Sequence, residues 1–318
     1  MKIVFMGTPA AAAVSLERLL AAGHEVVAVY TQPDRPSGRG NRIVFSPVKE
    51  LATSAGIPVY QPLKIKTTEA FDEFRSLGAD IAVVVAYGRI LPETFLGAFR
   101  FGALNVHFSL LPKYRGAAPV NWAIVNGEQN TGVTTMRMDA GLDTGDIYQQ
   151  AETSIGSAET APELMSRLAE LGADVLIDTL TQIDKITPIP QIDDAASFAP
   201  IMKREDGEVN WLEDAVRIER RVRGFQPFPG SYSFYNGLKV VFWSVEAVSG
   251  KPGAAAGDII EAGNGKLIVA AGNNSAVSVN EIQMEGKRRM HIRDLLNGTH
   301  MLVGESFRES EKKKVAGS

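Results

Sequence analysis

Short apolar runs alternate with amphipathic stretches over the first two hundred residues, a pattern typical of parallel strands connected by helices. The run Ile-Ala-Val-Val-Val-Ala at 81–86 is apolar throughout, as in a central strand buried on both faces, although a short buried helix gives the same pattern. The apolar runs predict strands over 2–7, 24–31, 58–61, 79–88 and 103–109.

Helix start and stop signals lie between and after these strands. Pro9 and Gly23 bracket an amphipathic stretch, because proline fits the first turn of a helix and glycine commonly follows the last. Ser46 and Pro47 open a second helix in the same way. Leucine and valine at helical spacing predict a long amphipathic helix over 161–182.

The pattern changes after this helix. The proline-bearing segment ITPIPQIDDAASFAP (186–200) is typical of a linker, and the short apolar runs beyond it are separated by Asn-Gly, Pro-Gly and Gly-Asn turns. Five closely spaced strands favour a small antiparallel barrel of the OB type. They are predicted over SYSFY, LKVVFWSVEAV, GDIIEA, GKLIVAAG and AVSVNEIQ.

We therefore expect an α/β protein with a Rossmann-like, mostly parallel sheet in an N-terminal domain and an OB-like β-barrel in a C-terminal domain. The expected boundaries are 1–188 for the first domain, 189–205 for the linker and 206–318 for the second domain.

Composition narrows the class of protein. With 318 residues, 45% hydrophobic and 22% charged, the chain is typical of folded globular proteins. No run approaches the roughly 18 apolar residues of a membrane-spanning helix, and the chain opens directly into a predicted strand, so we expect neither anchor nor signal peptide. The absence of cysteine excludes disulfides, thiolate metal sites and cysteine nucleophiles. We expect a cytoplasmic protein.

The charge distribution is uneven. The net charge of -4 argues against a protein that binds nucleic acid over its whole surface. Residues 206–318 carry 15 basic against 14 acidic side chains, however, and residues 1–205 carry 18 against 23. A local basic cluster in the second half would still allow contact with an anionic polymer, because the local field decides such contacts.

One of the four histidines has a reactive context. Asn105 and His107 alternate on a predicted strand, so they share a face near its carboxyl end, where ligand sites of open α/β sheets lie. A buried histidine beside an asparagine that starts a turn is the alternative, and these residues alone favour it. Asp143, in GLDTGDI, would orient and charge the imidazole if its loop lay beside the ring. A turn aspartate bonding its own backbone is the alternative there.

The surrounding motifs resemble those of the folate-dependent formyltransferases. They comprise N-x-H followed by S-L-L-P-x-Y-R-G at 105–116, and L-D-T-G-D at 142–146. Further motifs resemble the branch of the family that acts on tRNA and span both expected domains. These are F-M-G-T-P at 5–9, P-D-R-P-S-G-R-G-N at 33–41 before S-P-V-K, A-Y-G at 86–88 and RGFQPFPG at 223–230.

The resemblance implies an activity. A formyl group would pass from N10 of 10-formyltetrahydrofolate to the free α-amino group of methionyl initiator tRNA, for translation initiation. The amine attacks the carbonyl, charge builds on the oxygen, and a proton leaves the nitrogen. The resemblance implies that Asn105 donates to the formyl oxygen, that protonated His107 stabilises that oxygen, and that Asp143 sustains the charged ring and helps move the proton.

The resemblance also implies where the folate donor binds. Backbone groups and apolar side chains would hold it. Taken alone, residues 109–112 favour the alternative of an ordinary proline-terminated loop. The implied residues are Ser109, Leu110, Leu111 and Pro112, together with Ala86, Tyr87 and Gly88.

Other chemistries have little support in the sequence. Gly7-Thr8-Pro9 has one glycine where the dinucleotide fingerprint needs three, and Pro9 removes an amide donor, so no nicotinamide or flavin is expected. No histidine–carboxylate cluster has metal-ligand spacing, and we expect a metal-free mechanism. Ser109 lies outside any G-x-S-x-G elbow, which argues against a hydrolase triad.

Arginines mark two candidate tRNA contacts. Arg35, Arg39 and Arg42 lie in a glycine-bearing segment that is either a solvated loop or, by resemblance, the family's mobile insertion that reaches the tRNA acceptor end. Arg217, Arg220 and Arg221 share one face of a predicted helix, where they contact RNA or pair with Glu213 and Glu219. The charged patch 287–289 on a predicted hairpin has the same two interpretations.

We therefore expect charged initiator tRNA and the folate donor as partners, no membrane, and a monomer. Two alternatives stay open. One is a folate-dependent formyltransferase that acts on a small amine, such as a glycinamide ribonucleotide or an amino-sugar nucleotide. The other is a non-catalytic RNA-binding protein with an inert sheet domain. A steep salt dependence of activity would favour a polymer substrate.

Overall fold

The computed structural model describes residues 1–37 and 42–308, with only the backbone of 35–37 and 42–43. The chain forms two compact units whose segments are not contiguous in sequence. Unit 1 comprises Met1–Pro119, Asn130–Ser154 and Leu164–Ala199; unit 2 comprises Val120–Gln129, Ile155–Glu163 and the described chain from Pro200 onward. The boundaries expected from the sequence remain a prediction.

The structure has strands throughout the described chain. In chain order they are β1 Lys2–Gly7, β2 Glu25–Tyr30, β3 Arg35–Ser37, β4 Arg42–Val44, β5 Val59–Tyr60, β6 Ile81–Val85, β7 Ala103–His107, β8 Arg115–Gly116, β9 Asn130–Arg137, β10 Ile147–Ser154, β11 Phe198–Ala199, β12 Ser231–Tyr235, β13 Leu238–Ser249, β14 Ile259–Gly263, β15 Lys266–Ala270, β16 Ser275–Met284 and β17 Met290–His291.

Helices connect many of these strands. In chain order they are α1 Ala10–Ala21, α2 Pro47–Ser54, α3 Thr68–Ser76, α4 Glu93–Leu96, α5 Pro119–Asn126, α6 Ala161–Gln182, α7 Ala215–Gly224 and α8 Ile292–Leu296, with short 3₁₀ helices at Asp193–Ala195 and Arg204–Gly207. No helix in the described residues has both the length and the apolar character needed to cross a bilayer.

Unit 1 is built on a seven-stranded sheet in the order β10-β9-β7-β6-β1-β2-β5. The pairs from β7 to β5 are parallel, and β9 and β10 add antiparallel strands at one edge. All five residues of β6 are buried, as the apolar run predicts. The sequence pattern had not indicated β9 and β10, because threonine and glutamine occupy many of their positions.

The parallel pairing places two strand ends side by side. Val84 of β6 pairs with Asn105 of β7, so the segment after β6 lies beside the carboxyl end of β7. Gly7, the last residue of β1, lies beside Val85 at the same ends of the parallel strands. A Cβ on Gly7 would lie 2.8 Å from the Ala12 Cβ and 2.9 Å from the Val85 carbonyl oxygen, so only glycine allows α1 to pack this closely.

The predicted helices of unit 1 are confirmed. Pro9 occupies the N-cap position of α1, and the Ser46 hydroxyl caps α2 by accepting a hydrogen bond from the Lys49 amide at 3.1 Å. The side-chain cap satisfies an amide that has no partner inside the helix.

Unit 2 contains a mostly antiparallel sheet in the order β12-β13-β16-β15-β14, with β17 paired to β16. Both edges of this sheet bond the same segment near the end of the described chain. The Phe234 amide donates to the Arg308 carbonyl at 3.1 Å, and the Ile259 amide donates to the Glu305 carbonyl at 2.7 Å. This segment therefore closes the sheet, consistent with the barrel expected from the sequence.

Phe307 anchors the closing segment in the core of unit 2. It is 2% exposed, and its ring centroid lies 5.5 Å from those of Tyr235 and Phe242 and 5.7 Å from that of Trp211. Aromatic packing of this kind supplies much of the burial free energy of a small barrel.

We predict that Phe307→Ala lowers the free energy of unfolding of unit 2 by about 3 to 5 kcal/mol, because it leaves a cavity among the three rings. Chemical denaturation monitored by tryptophan fluorescence measures the change. Leu302→Ala is the matched control, since Leu302 is 61% exposed, and its effect should stay within about 0.5 kcal/mol. Equal effects of the two variants would contradict the anchoring role.

Candidate active site

Asn105 and His107 lie on one face of β7 at its carboxyl end. His107 is 6% exposed and pairs with Thr134 of β9, while Asn105 is half-buried. Within the described residues, the Asn105 carboxamide has no hydrogen-bond partner. The structure thus brings together an amide whose hydrogens are available and an imidazole.

Both ring nitrogens of His107 face oxygen atoms. Nε2 lies 2.9 Å from the Tyr114 carbonyl oxygen, and Nδ1 lies 3.7 Å from Oδ2 of Asp143. A carbonyl oxygen has no hydrogen to give, so Nε2 must carry the hydrogen and donate it. Nδ1 is therefore the nitrogen that can gain or lose a proton, and the carboxylate faces it.

Asp143 lies in a loop shaped by another aspartate. Oδ1 of Asp139 accepts hydrogen bonds from the Gly141 amide at 3.0 Å and the Thr144 hydroxyl at 2.7 Å. Oδ2 of Asp143 accepts instead from the amide of Gly116, at 2.8 Å and far away in sequence. Asp139 thus forms the local turn bonds, and Asp143 joins two loops beside His107.

The loop that follows β7 folds back on β9. The Thr134 hydroxyl donates to the Ser109 carbonyl at 2.6 Å and accepts from the Leu111 amide at 3.1 Å, and the Gln150 amide donates to the Leu111 carbonyl at 2.9 Å. Ser109 is 1% exposed, and its hydroxyl donates to the Lys113 carbonyl at 2.7 Å. Its hydroxyl is thus already bonded.

Leu110 and Pro112 are half-buried, whereas Leu111 is buried, and the peptide bond between Leu111 and Pro112 is cis. The segment therefore offers two apolar side chains next to the end of β7. This suits the apolar part of a ligand.

The segment after β6 exposes backbone. Ala86 and Gly88 are exposed and have φ angles of 46° and 80°, while Tyr87 between them is buried. Burial raises the pKa of the Tyr87 hydroxyl. The Tyr87 carbonyl accepts a hydrogen bond from the side-chain Nε2 of Gln32 at 2.9 Å. Arg89 donates from Nε to the side-chain oxygen of Gln32 at 3.2 Å.

Sequence reasoning missed the side chains that support these loops. They are isolated polar residues without a motif, and no periodicity distinguishes them from surface residues. They are Gln32, Arg89, Thr134, Gln150 and Gln191.

The arginine segment is described only in part. Arg39 lies outside the described residues, and Arg35 and Arg42 are described as backbone in the β3–β4 hairpin. Asp34, just before the hairpin, forms an ion pair with Lys49 and accepts a hydrogen bond from Gln61 at 2.9 Å. The hydrogen bond from Lys49, then that from Gln61, lowers the pKa of the Asp34 carboxyl group.

The arginines of α7 differ in their surroundings. Arg217 is exposed and lies 3.6 Å from Glu213, whereas Arg221 is half-buried, 3.9 Å from Glu213, and donates to the Asp206 carbonyl at 2.5 Å. The Arg220 guanidinium packs against Gly127. Arg217 and Arg221 therefore lie near Glu213, as one of the two interpretations predicts, whereas Glu219 pairs with Arg223 instead. Burial lowers the pKa of the Arg221 guanidinium.

No group of three or more metal-ligating side chains occurs within the part of the chain that the structure describes. The arrangement around His107 consists of an amide, an imidazole and a carboxylate. Such a set can donate to a developing negative charge and transfer a proton.

Comparisons with known proteins bear on the family of the chain. Residues 1–180 match the family model described as formyl transferase, and residues 201–300 match its C-terminal domain. The methionyl-tRNA formyltransferase of Solibacter usitatus is 45% identical over 311 residues, covering 97% of this chain and 99% of the relative. That of Acidobacterium capsulatum is 47% identical over 301 residues, covering 94% and 96%.

Among solved structures, the fold is similar to an N-formyltransferase from Helicobacter canadensis in complex with folinic acid and dTDP-3-aminofucose. The TM-score is 0.66 at 20% identity, over 88% of this chain and 98% of that chain. At this identity the likeness concerns the fold alone. The two family models and the near-full-length relatives show that the chain belongs to the formyl transferase family.

Proposed function

We propose that the chain transfers the formyl group of 10-formyltetrahydrofolate to the α-amino group of methionyl initiator tRNA. One observation carries the chemistry: Asn105 and His107 share a face at the end of β7, and the Asp143 carboxylate lies 3.7 Å from Nδ1 of His107. Membership of the formyl transferase family and the names of the relatives support the substrates.

Asn105 stabilises the charge that builds on the formyl oxygen as the amine attacks. Its carboxamide is half-buried and makes no other hydrogen bond among the described residues, so its hydrogens can be donated without breaking an existing bond. A donor that is already in place costs no reorganisation during the reaction.

His107 and Asp143 handle the proton. Since the Tyr114 carbonyl holds the hydrogen on Nε2, a proton gained by the ring goes to Nδ1, beside Asp143. The ring is then positively charged next to the formyl oxygen, and the carboxylate stabilises that charge. When the bond between N10 and the formyl carbon breaks, this proton passes to N10, so tetrahydrofolate leaves as the neutral amine. The 3.7 Å separation is longer than a hydrogen bond, and contacts of this kind often shorten when substrate binds.

The folate donor carries its formyl group on N10 and must bind next to Asn105 and His107. The residues next to the candidate centre fit a folded, partly apolar ligand: Leu110 and Pro112 offer apolar contacts, and the exposed backbone of Ala86 and Gly88 offers hydrogen bonds at the neighbouring strand end. Ser109, Leu111 and Tyr87 are buried, so we assign them to holding these two segments in place.

The acceptor is proposed to be a charged tRNA. Arg35, Arg39 and Arg42 would neutralise phosphates near the acceptor end, and the exposed Arg217 would add a contact from unit 2. Arg220 and Arg221 pack within unit 2, so we assign them a supporting role behind Arg217.

We further propose that the reaction takes place in the cytoplasm, with the aminoacyl-tRNA it uses, and that the chain acts as a monomer. Asn105, His107 and Asp143 all come from unit 1 of a single chain, so no second copy is needed to complete the candidate centre. Sedimentation equilibrium of the active protein tests the monomer.

One assay tests the function. The protein is incubated with 10-formyltetrahydrofolate and methionyl initiator tRNA, and formylmethionine is sought after deacylation. Product formed from a glycinamide ribonucleotide or an amino-sugar nucleotide, with none from the tRNA, would favour the small-amine alternative. Tight RNA binding without a formylated product would favour the non-catalytic alternative.

We predict that Asn105→Ala, His107→Ala and Asp143→Ala each lower kcat by about 100- to 1000-fold, because each removes a group that acts on the developing charge or its proton. Circular dichroism should show an unchanged fold. His24→Ala is the control, since His24 immediately precedes β2 and so lies at the amino ends of the parallel strands, whereas His107 lies at the carboxyl end of β7. Near-normal turnover by folded His107→Ala would refute the mechanism.

We predict that Arg39→Ala weakens use of charged tRNA far more than binding of the folate donor. The slope of log kcat/KM against log salt should become shallower by about 0.7 to 0.9 for each phosphate that the variant no longer neutralises. The control is Arg75→Ala, an exposed arginine on α3. An unchanged kcat/KM for the tRNA would count against this role of the segment.

A further inference from the structure

A glutamine from the predicted linker contacts the loop that carries Asp143. The side-chain amide of Gln191 donates hydrogen bonds to the carbonyl oxygens of Asp143 and Gly145, both at 2.8 Å. Its side-chain oxygen accepts two bonds from Arg115, from Nε at 3.0 Å and Nη2 at 2.9 Å. Every hydrogen-bonding position of this carboxamide is thus used.

Arg115 is held rigidly at the other end of this contact. It is 4% exposed, and its backbone amide donates to the Ser197 carbonyl at 2.8 Å. Its guanidinium also pairs with Asp193, at 2.9 Å, and that carboxylate is exposed. A buried guanidinium with several partners has few rotamers left, so it offers a fixed support for Gln191.

Two contacts therefore determine where Asp143 lies. The Gly116 amide bonds its carboxylate at 2.8 Å, and Gln191 bonds its carbonyl oxygen. Asp143 has a φ of 54°, in the left-handed region, which persists only where the surroundings hold it. Within the described residues, these bonds tie the Asp143 loop to the Arg115–Gly116 step and to the linker.

We propose that Gln191 is a positioning residue that keeps the Asp143 carboxylate facing Nδ1 of His107. The proposal rests on the proposed function of Asp143. A carboxamide is required because the site needs two donors toward carbonyl oxygens and two acceptor positions toward an arginine. Glutamate would retain only the acceptor positions toward Arg115, and methionine would retain neither the donors nor the acceptors.

Two variants of Gln191 separate the possible roles. Gln191→Glu keeps the pairing with Arg115, so the protein should stay folded with a Tm close to that of the native chain, yet it places oxygen against the carbonyls of Asp143 and Gly145. Gln191→Met removes both sets of bonds at similar size. We predict that each lowers kcat by up to about 100-fold while KM for the donor and the tRNA stays unchanged, because Asp143 is displaced.

Asp194→Asn is the matched control, since Asp194 is exposed on the same short 3₁₀ helix as Asp193 and, within the described residues, bonds neither Arg115 nor Gln191. Its kcat and Tm should equal those of the native chain. A double-mutant cycle adds a second measurement: in an Asp143→Asn background, Gln191→Glu should cause no further decrease in kcat, because its effect acts through the missing carboxylate.

The outcomes are distinguishable. If the native chain makes no formylmethionine, the proposed function fails. If the native chain is active and folded Gln191→Glu and Gln191→Met both turn over normally, the positioning role fails while the function stands. The positioning role is also overturned if Gln191→Glu lowers kcat by the same factor in the Asp143→Asn background as in the native chain. An effect of the Gln191 variants on KM alone overturns it as well.

Discussion

The candidate site depends on the parallel pairing of β6 with β7. This register sets Val84 beside Asn105, so the two strands end at the same edge and their following segments become neighbours. A parallel strand needs a crossover before it, which is why residues far apart in sequence meet here. Burial of β6 and β7 makes the register costly to change, since a shift by one residue would turn His107 to the other face.

The sheet positions the imidazole and the amide, but loops bring the acid. Loops are held by the hydrogen bonds of their backbone, and here Thr134, Gln150 and Asp139 supply many of them. Each is an uncharged or partly exposed group that satisfies peptide groups the sheet leaves unpaired. The Asp143 loop gains its defined place beside His107 from the Asp139 turn, the Gly116 amide and Gln191, without lying in the sheet itself.

The two units differ in the side chains that they contribute to the proposed function. Unit 1 contains the amide, imidazole and carboxylate, a set suited to acyl transfer without a covalent intermediate. Unit 2 contains a closed antiparallel sheet and the helix α7, on which Arg217 and Arg221 lie near Glu213 and Arg223 pairs with Glu219. Of these three arginines, only Arg217 is exposed. Such ion pairs are one of the two interpretations that the sequence leaves open for the arginines of α7.

The sequence by itself indicated the parallel strands β1, β2, β5, β6 and β7, the helices α1, α2, α6 and α7, and the strands β12 to β16, together with the Asn105–His107 alternation and the family. These features are readable because apolar periodicity and local motifs involve residues that are close in sequence. It did not indicate β9 and β10, because threonine and glutamine interrupt their apolar runs, although six of the eight residues of β9 are buried. Only the tertiary structure decided that Asp139, not Asp143, forms the local turn, and that Gln191 reaches the same loop. Those contacts join residues dozens of positions apart, and a single polar side chain carries no periodic signal of its distant partner.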